Sequence, residues 1–250
     1  MIADRMAEEE RIVPGTPLWR EHYEEHAQRY AFAATFLSSA SRVLDAGCGV
    51  GYGAALLADG GAARVVAVDR SAAALAIGLR EFDRPNVEWL EDDCQTLAHA
   101  AERGPFDLIV NFENLEHLPE PESFLRAASR LLSPEGMLIT STPNGIGVSR
   151  LRGLRPDASS TNPFHSREYT TEEFRALLAP HFAQVEMHHQ TLDPPDRLGY
   201  EAAIIAMWSN PFMRLGRWMQ RTFRGHQGAE RVMDLLPPRR HRISGDLLAD

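Results

Sequence analysis

The stretch "VLDAGCGVGYG", residues 43–53, joins an apolar run to a loop with glycine at every second position. The run before the loop is typical of a buried strand, and "GAALLAD" at 53–59 is typical of a helix start. Because glycine lacks a Cβ atom and tolerates left-handed backbone angles, such a loop lets a ligand approach the helix N-terminus. By itself the loop allows two interpretations. Gly49, Gly51 and Ala54 fit the G-x-G-x-x-A pattern of nicotinamide-nucleotide loops, or the loop is an ordinary tight turn.

The following sequence alternates between strand-like and helix-like runs. The strand-like runs are "RVVAVD" (64–69), "NVEWLEDD" (86–93), "FDLIVNF" (106–112) and "MLITSTP" (137–143). Alternation of this kind predicts an α/β fold with a doubly wound, mostly parallel sheet. Further along, Thr170 and Glu173 form a capping-box pattern that predicts another helix start.

The segments around these runs predict three regions. Residues 1–39 combine a charged arm with a helix over 19–37, and residues 40–210 form the main domain. Within that domain, residues 144–166 are rich in Gly, Arg, Ser, Asn and Pro and lack periodicity, which is typical of a lid or binding loop. Residues 211–250 form a C-terminal helical extension that begins with a basic amphipathic helix.

Composition excludes several classes of function. The formal charge of −9 argues against a nucleic-acid binder that works through a broad basic surface. All 26 basic residues are Arg, which removes Schiff-base chemistry and a phosphate-loop lysine. Two cysteines, Cys48 and Cys94, are too few for a disulfide framework. Since the sequence also shows neither an apolar signal core nor a membrane-length apolar run, we expect a cytoplasmic protein.

Acidic residues occur where the first three predicted strands end. Asp45 lies inside the glycine motif, and Asp69 ends the second strand. A carboxylate at the second position can accept hydrogen bonds from both hydroxyls of a ribose. Asp93 ends the third strand and is followed by Cys94. The Asp93 carboxylate and the Cys94 amide could therefore read the amino group and a ring nitrogen of adenine.

Five motifs in this order resemble those of the class I S-adenosylmethionine-dependent methyltransferases. The resemblance extends over about residues 40 to 145, and its motifs are "VLDAGCGVGYG", "VVAVDRS", "NVEWLEDDC", "FDLIVNFENLEHL" and "LLSPEGMLITSTPN". It implies a Rossmann-like sheet of seven strands, the last of them antiparallel. It also implies S-adenosyl-L-methionine as the methyl donor.

The same resemblance implies roles for individual residues. Gly47, Gly49 and Gly51 would lie under the methionine part of the donor, and Asp69 would bind the ribose. Asp93 and Cys94 would lie at the adenine, and Asn111 and Phe112 near the sulfonium. Apart from the resemblance, we expect Asp45, Arg70 and Arg29 to be further donor-binding residues. In the N-terminal helix, Arg29 could meet the donor carboxylate; the alternative is that this helix is merely solvated and amphipathic.

Glu113, Glu116 and His117 occur together in "NFENLEHLPEP", residues 111–121, where the fourth strand ends. Positions i, i+3 and i+4 share one face of a helical turn, so the three side chains would converge. Two interpretations stay open on spacing alone. The residues are metal ligands, or they are acids that favour a helix N-terminus through its dipole, with a packed histidine beside them.

A distal histidine, His165 in "STNPFHSREYTTEEF" (160–174), adds a second resemblance. Together with the Glu-x-x-Glu-His cluster it resembles the 2′-O-methyltransferases of small RNAs, and the cluster alone resembles the O-methyltransferases of ubiquinone biosynthesis. The resemblance implies that Glu113, Glu116, His117 and His165 are catalytic metal ligands. Oxygen ligands favour Mg²⁺, our first expectation, or Mn²⁺, while imidazoles admit Fe²⁺, Co²⁺ or Zn²⁺. A loop histidine without metal, or a metal-free base, stays open.

Three motifs also resemble bacterial methyltransferases of surface-glycan and natural-product pathways: "ERIVPG" (10–15), "EHAQRYAFA" (25–33) and "NPFHSREYTTEEF" (162–174). They imply a small sugar or glycoside acceptor with adjacent hydroxyls. Alternatives are a catechol-type O-methyltransferase, a metal-free N-methyltransferase of an amino sugar and a non-enzymatic donor-binding partner subunit. The basic helix at 211–225 is compatible with peripheral membrane contact, with packing on the domain or with a homodimer.

Overall fold

The computed structural model describes residues 11–144, 164–193 and 240–245. Its first helix, α1 (Pro17–Ala34), begins after Thr16, whose side chain accepts a hydrogen bond from the Trp19 amide. Proline at the first helical position and a threonine cap together favour a helix start here. Within the described ranges, none of the helices combines the length and apolar character needed to cross a membrane.

The main domain is a five-stranded parallel sheet in the order β3-β2-β1-β4-β5. Its elements are β1 (Arg42–Ala46), α2 (Tyr52–Asp59), β2 (Arg64–Asp69), α3 (Ala72–Glu81), β3 (Val87–Glu91), β4 (Phe106–Phe112), α4 (Pro121–Leu131) and β5 (Leu132–Ser141), followed by α5 (Thr171–Leu178). The strand order reverses between β1 and β4, and ligands in doubly wound sheets bind at such a switch point. The predicted α/β, Rossmann-like fold is thus confirmed.

Two further strands lie outside this sheet. β6 (His188–Asp193) and β7 (Arg240–Gly245) form a separate antiparallel pair, and Gln190 donates a hydrogen bond from Nε2 to the Glu25 carbonyl of α1 at 3.0 Å. The seven-stranded sheet with an antiparallel last strand is therefore not confirmed and stays a prediction. β7 also replaces part of the expected helical tail with a strand, while residues 145–163 and 211–225 lie outside the described residues.

Apolar side chains fill the space on both faces of the sheet. Along β2, Val66 and Val68 pack in the cluster that includes α4 and α5, while Val65 and Ala67 pack in the cluster that includes α1, α2 and α3. A parallel strand covered on both faces is apolar throughout rather than alternating. With both faces covered, the carboxyl ends of the strands are the natural place for polar function, and the acids at Asp45, Asp69 and Glu113 lie there.

Candidate donor and metal sites

The glycine loop depends on left-handed backbone angles at three positions. Gly47, Gly49 and Gly51 have φ values of 81°, 57° and 82°. A Cβ at Gly51 would lie 2.1 Å from the Trp89 ring, and one at Gly47 would lie 2.7 Å from the Asn114 side chain. At Gly49, by contrast, no described atom outside this glycine and its two chain neighbours lies within 4 Å of the corresponding Cβ position. Packing thus requires two of these glycines, and the third faces open space that suits a bound donor.

Asp69, the expected ribose ligand, is held by backbone donors. Its two carboxylate oxygens accept hydrogen bonds from the Gly49 amide at 3.0 Å and the Ser71 amide at 2.8 Å. The Arg11 guanidinium lies 3.3 Å from the same carboxylate. The amides fix the orientation of the side chain at the end of β2, where a ribose would lie. The contact with Arg11 was not expected from the sequence, since the motif "ERIVPG" that contains Arg11 gave no role to that arginine.

The acids after β3 divide into a structural and an exposed residue. Asp92 is buried and accepts hydrogen bonds from the amides of Asp93, His99 and Ala100 at 2.9, 2.8 and 2.8 Å. Asp93 is exposed, as is Arg70 after β2. Asp92 therefore stabilises the turn after β3, which leaves Asp93 as the candidate for the adenine.

Asp45 is fully buried below the glycine loop. Its Oδ1 accepts a hydrogen bond from the Tyr30 hydroxyl at 3.1 Å, while its Oδ2 is buried and has no hydrogen-bond partner among the described residues. Burial raises the pKa of Asp45 from 3.8 to about 7, partly offset by the bond from Tyr30. A buried hydrogen-bond acceptor without a hydrogen-bond donor is an expected contact site for a ligand. The ammonium group of an amino acid moiety would donate the missing hydrogen bond.

Arg29 is buried rather than solvated, so its helix is not simply a surface helix. Its Nη2 donates to Glu25 Oε1 at 2.6 Å and lies 3.9 Å from Glu113 Oε1. Its Nη1 is buried, and in the part of the chain that the structure describes it donates to no acceptor. An unmet buried donor is costly. A ligand carboxylate would satisfy it, as the sequence predicted for the donor.

Asn111 links three strands of the sheet, and its expected position near the sulfonium stays a prediction. The side chain is fully buried, donates to the Ala46 carbonyl at 2.8 Å and accepts from Thr140 Oγ1 at 3.3 Å. It thereby links β1, β4 and β5. Phe112, also buried, packs edge-on against the Tyr30 ring at 4.9 Å and so continues the wall formed by α1.

Glu116, His117 and His165 offer one ligand atom each within 4.8 Å of one another. Glu116 is 1% exposed, and among the described residues its Oε2 has no hydrogen-bond partner. Burial, and then the charge of Glu113, raise the pKa of Glu116. A buried carboxylate oxygen with an unmet bond beside two imidazoles fits a divalent cation. The amide of Ser166 donates to the Glu116 carbonyl at 2.7 Å, which attaches the segment of His165 to this turn.

Glu113, the fourth expected ligand, does not join this group. Its Oε1 accepts from Ser141 Oγ at 2.7 Å and lies 3.9 Å from Arg29 Nη2. The sequence predicted that the side chains of Glu113, Glu116 and His117 would converge on one face of a helical turn that begins at Glu113. Instead its φ is 48°, and the turn that follows is a 3-10 helix over Leu115–His117. The carboxylate therefore faces the donor side, and three of the four predicted ligands come together.

The family match agrees with this fold. A family described as a methyltransferase domain matches residues 18–184 of the chain. The chain belongs to the class I S-adenosylmethionine-dependent methyltransferases. The match begins in α1 and ends beyond α5, so it includes the helix that carries Arg29 and the segment that carries His165.

Individual methyltransferases are similar to this chain over different lengths. A probable S-adenosylmethionine-dependent methyltransferase of Mycobacterium tuberculosis is 36% identical over 172 residues, which are 68% of this chain and 58% of that relative. A ubiquinone biosynthesis O-methyltransferase of Neisseria meningitidis is 37% identical over 105 residues, 41% of this chain and 44% of the relative. The chain thus spans about three fifths or less of the length of these curated relatives.

A solved methyltransferase structure shares the fold. The N-methyltransferase NodS from Bradyrhizobium japonicum, in complex with S-adenosyl-L-homocysteine, has 18% sequence identity and a TM-score of 0.53. The likeness covers 72% of this chain and 81% of that chain. At this level of identity the likeness concerns the fold alone.

Sequence reasoning missed several residues of this methyltransferase's candidate sites: Arg11 at Asp69, Glu25 at Arg29, Ser141 at Glu113 and Glu168 at His165. Each contacts a residue that the motifs did identify. The signal for Glu25 was its spacing of four residues from Arg29 on a helix. Since Glu168 follows His165 by three residues, a local contact could also have been inferred there.

Proposed function

We propose that the chain is a divalent-metal-dependent O-methyltransferase that methylates one hydroxyl of a vicinal diol on a sugar, glycoside or other small acceptor. The observation that supports this most is the group of Glu116, His117 and His165, with its buried carboxylate oxygen, beside the carboxyl end of β4. In a doubly wound sheet this edge is where ligands meet.

The residues present fit the donor. Gly49 leaves open space beside the loop, and Asp69 is oriented at the end of β2. Arg29 Nη1 and Asp45 Oδ2 are a buried hydrogen-bond donor and a buried acceptor with unmet bonds within the described residues. They match in charge the carboxylate and the ammonium of a methionine moiety. S-adenosyl-L-methionine, when bound, supplies an electrophilic methyl group on a sulfonium.

The three clustered side chains fit a divalent metal. One carboxylate with two imidazoles admits Mn²⁺, Fe²⁺, Co²⁺ or Zn²⁺ as well as Mg²⁺. When bound, such an ion lowers the pKa of a hydroxyl that it coordinates. The task of Glu116, His117 and His165 is to hold the ion so that the acceptor oxygen lies in line with the donor methyl, and such positioning contributes much of the rate.

Adjacent hydroxyls follow from the number of ligands. In the octahedral geometry that Mg²⁺ requires, three protein ligands leave the remaining positions open, so two neighbouring oxygens of an acceptor can bind together. A vicinal diol of a sugar and a catechol both satisfy this requirement. The ubiquinone biosynthesis O-methyltransferase similar to this chain is consistent with O-methylation, over 41% of this chain.

The test measures S-adenosyl-L-homocysteine formation against a panel of glycosides, catechols and amino sugars, before and after chelation. We expect activity on diols to be lost with excess chelator, to return with one or more divalent ions, and to be abolished in Glu116→Gln and His165→Ala. His188→Ala, at an exposed histidine in β6 and outside the main sheet, is the matched control. Full activity in excess chelator would contradict metal dependence, and turnover of amino sugars alone would indicate an N-methyltransferase.

A further inference from the structure

We call the group of Glu116, His117 and His165 the metal cluster. Both of its imidazoles are held at Nδ1 by hydrogen-bond acceptors from one short segment, residues 164–169. His117 Nδ1 lies 3.0 Å from the Phe164 carbonyl oxygen, and His165 Nδ1 lies 3.3 Å from Glu168 Oε1. A carbonyl oxygen can only accept, so His117 Nδ1 must carry the proton in that bond. A neutral imidazole protonated at Nδ1 has its lone pair at Nε2. For His117, the backbone alone therefore specifies Nε2 as the metal-binding atom.

For His165 the same task falls to a side chain. Glu168 and His165 are 8% and 11% exposed in their side chains, so the carboxylate lies in a largely dehydrated contact with the ring. An ionised carboxylate accepts hydrogen bonds only, and burial makes it costly to leave without a donor. The arrangement therefore favours Nδ1–H on His165 and a lone pair on Nε2, as for His117.

We propose that Glu168 is a positioning residue that holds His165 in the Nδ1–H tautomer and orients its Nε2 toward the metal cluster. The proposal rests on the proposed metal-dependent function, because a bound ion gives that nitrogen its role. Carboxylate–histidine–metal arrangements are a general means of fixing the ring and raising its basicity. The two cluster imidazoles cross at 80° with centroids 4.9 Å apart, so ring orientation matters for whether both reach one ion.

A purely structural role for Glu168 would be to hold the segment against the Glu116 turn. Other contacts already do so. The Ser166 amide donates to the Glu116 carbonyl at 2.7 Å, Tyr169 is 4% exposed in the core, and Asn144 and Tyr169 form a β-bridge. The segment should therefore stay in place without the Glu168 carboxylate, while the ring of His165 should lose its orientation.

The test combines imidazole ¹⁵N NMR of the metal-free protein, at a pH where the ring is neutral, with Mn²⁺ titration calorimetry. We expect the wild-type His165 ring to be Nδ1–H and Glu168→Ala to shift it to Nε2–H, the tautomer that a free histidine side chain favours in water. The Mn²⁺ dissociation constant should rise about 10–100-fold in that variant. Glu168→Gln keeps an accepting oxygen and should retain the tautomer with a smaller loss. Glu172→Ala, at an exposed acid in the first turn of α5, is the control.

The two readouts separate this proposal from the proposed function. An Nε2–H ring in the wild type, or a Glu168→Ala protein with unchanged tautomer and Mn²⁺ affinity, would overturn the positioning role. If Glu168→Ala fails to fold, a Glu168→Gln protein that keeps the Nδ1–H ring but binds Mn²⁺ more weakly than wild type supports the role, and wild-type Mn²⁺ affinity in Glu168→Gln counts against it. A third outcome separates the two proposals. If the wild type has the Nδ1–H ring and Glu168→Ala loses it, but the wild type binds none of Mn²⁺, Co²⁺ and Zn²⁺, the positioning of His165 is supported and the metal-dependent function is overturned.

Discussion

Buried polar atoms with unmet hydrogen bonds concentrate at the carboxyl edge of the sheet. Asp45 Oδ2, Arg29 Nη1 and Glu116 Oε2 are three of them within residues 11–144. Each such atom costs about 1–3 kcal/mol when nothing satisfies it. Arg29 Nη1 matches in charge the carboxylate of a zwitterionic methyl donor, Asp45 Oδ2 matches its ammonium group, and Glu116 Oε2 matches a cation. The ligand-free protein is therefore less stable than its apolar core alone would make it, and ligand binding should recover part of this cost.

Replacing Asp45 with asparagine should change how stability depends on pH. Burial raises the pKa of Asp45 from 3.8 to about 7. Between these two pH values, Asp45 is therefore protonated in the folded state and ionised in the unfolded state. The contribution of Asp45 is thus complete below about pH 4 and lost as the pH rises through about 7, at most about 4 kcal/mol. An asparagine side chain cannot ionise. The free energy of unfolding of Asp45→Asn minus that of wild type, from urea curves, should therefore increase over this range.

Only the difference between the two proteins isolates Asp45. Burial and the charge of Arg29 lower the pKa of His26 from 6.5 to about 4. The free energy of unfolding that depends on neutral His26 is therefore complete above about pH 6.5 and is lost as the pH falls through about 4. The two groups oppose each other in the wild type. Asp59→Asn is a control of opposite sign, because a hydrogen bond from Arg84 lowers the pKa of the exposed Asp59. A difference for Asp45→Asn that stays constant with pH would contradict the assignment.

Arg29→Gln should weaken the binding of the methyl donor. A charge-assisted hydrogen bond contributes about 1.5–3 kcal/mol, so the dissociation constant of S-adenosyl-L-homocysteine should rise about 10–100-fold. Calorimetric titration measures this directly. Arg20→Gln, on the exposed side of the same helix, should bind as the wild type does. Equal affinities of Arg29→Gln and wild type would exclude a contact between Arg29 and the donor carboxylate.

At the scale of elements, local sequence patterns predicted what local contacts determine. The capping box of Thr170 and Glu173 is confirmed, with both reciprocal hydrogen bonds present. The turn at Glu113 could not be predicted, because its φ of 48° and its bonds to Ser141 depend on the neighbouring strand. The contact of the His165 segment with Glu116 is likewise tertiary. The order of the motifs identified the candidate residues. Only the tertiary structure shows that Glu113 lies apart from the metal cluster of Glu116, His117 and His165.

Alanine substitutions in the glycine loop should separate packing from ligand binding. A left-handed alanine costs about 1–2 kcal/mol, and Gly49→Ala should lose only this stability, since its Cβ meets open space. That Cβ would enter the expected donor position, so the affinity for S-adenosyl-L-homocysteine should fall about tenfold or more. Gly51→Ala must also displace the Trp89 ring, which should raise the loss of stability to about 2–5 kcal/mol.

Gly61→Ala is the matched control for Gly49→Ala. Gly61 has a φ of 104°, no described atom lies within 4 Å of its Cβ position, and it follows α2 at the opposite edge of the sheet from the glycine loop. Urea unfolding and calorimetric titration should show comparable losses of stability in the two variants but wild-type affinity in Gly61→Ala. Wild-type affinity in Gly49→Ala would place the donor elsewhere.

At the scale of the whole molecule, α1 packs against the elements that form the expected donor site. Tyr30 contacts Asp45 of β1, and its ring occupies the space where a Cβ of Gly53 would lie, 1.9 Å away. His26 is hydrogen-bonded to Tyr52 at the start of α2. The sequence predicted the helix from its periodicity, but it left open whether the helix was merely solvated. Its packing decides the question, because tertiary contacts bury Arg29 and Tyr30.

Donor binding should consequently protect α1 together with the glycine loop. At a ligand concentration about 100 times its dissociation constant, S-adenosyl-L-homocysteine should raise the free energy of unfolding by about 2.7 kcal/mol. Amide hydrogen exchange should slow in α1, in the loop around Gly49 and near Asp93, since all three contribute to the expected site. In Arg29→Gln at equal saturation, we expect the loop to keep its protection and α1 to lose much of its own. Protection confined to the loop in the wild type would contradict a donor site that includes α1, because ligand contacts then would not extend to that helix.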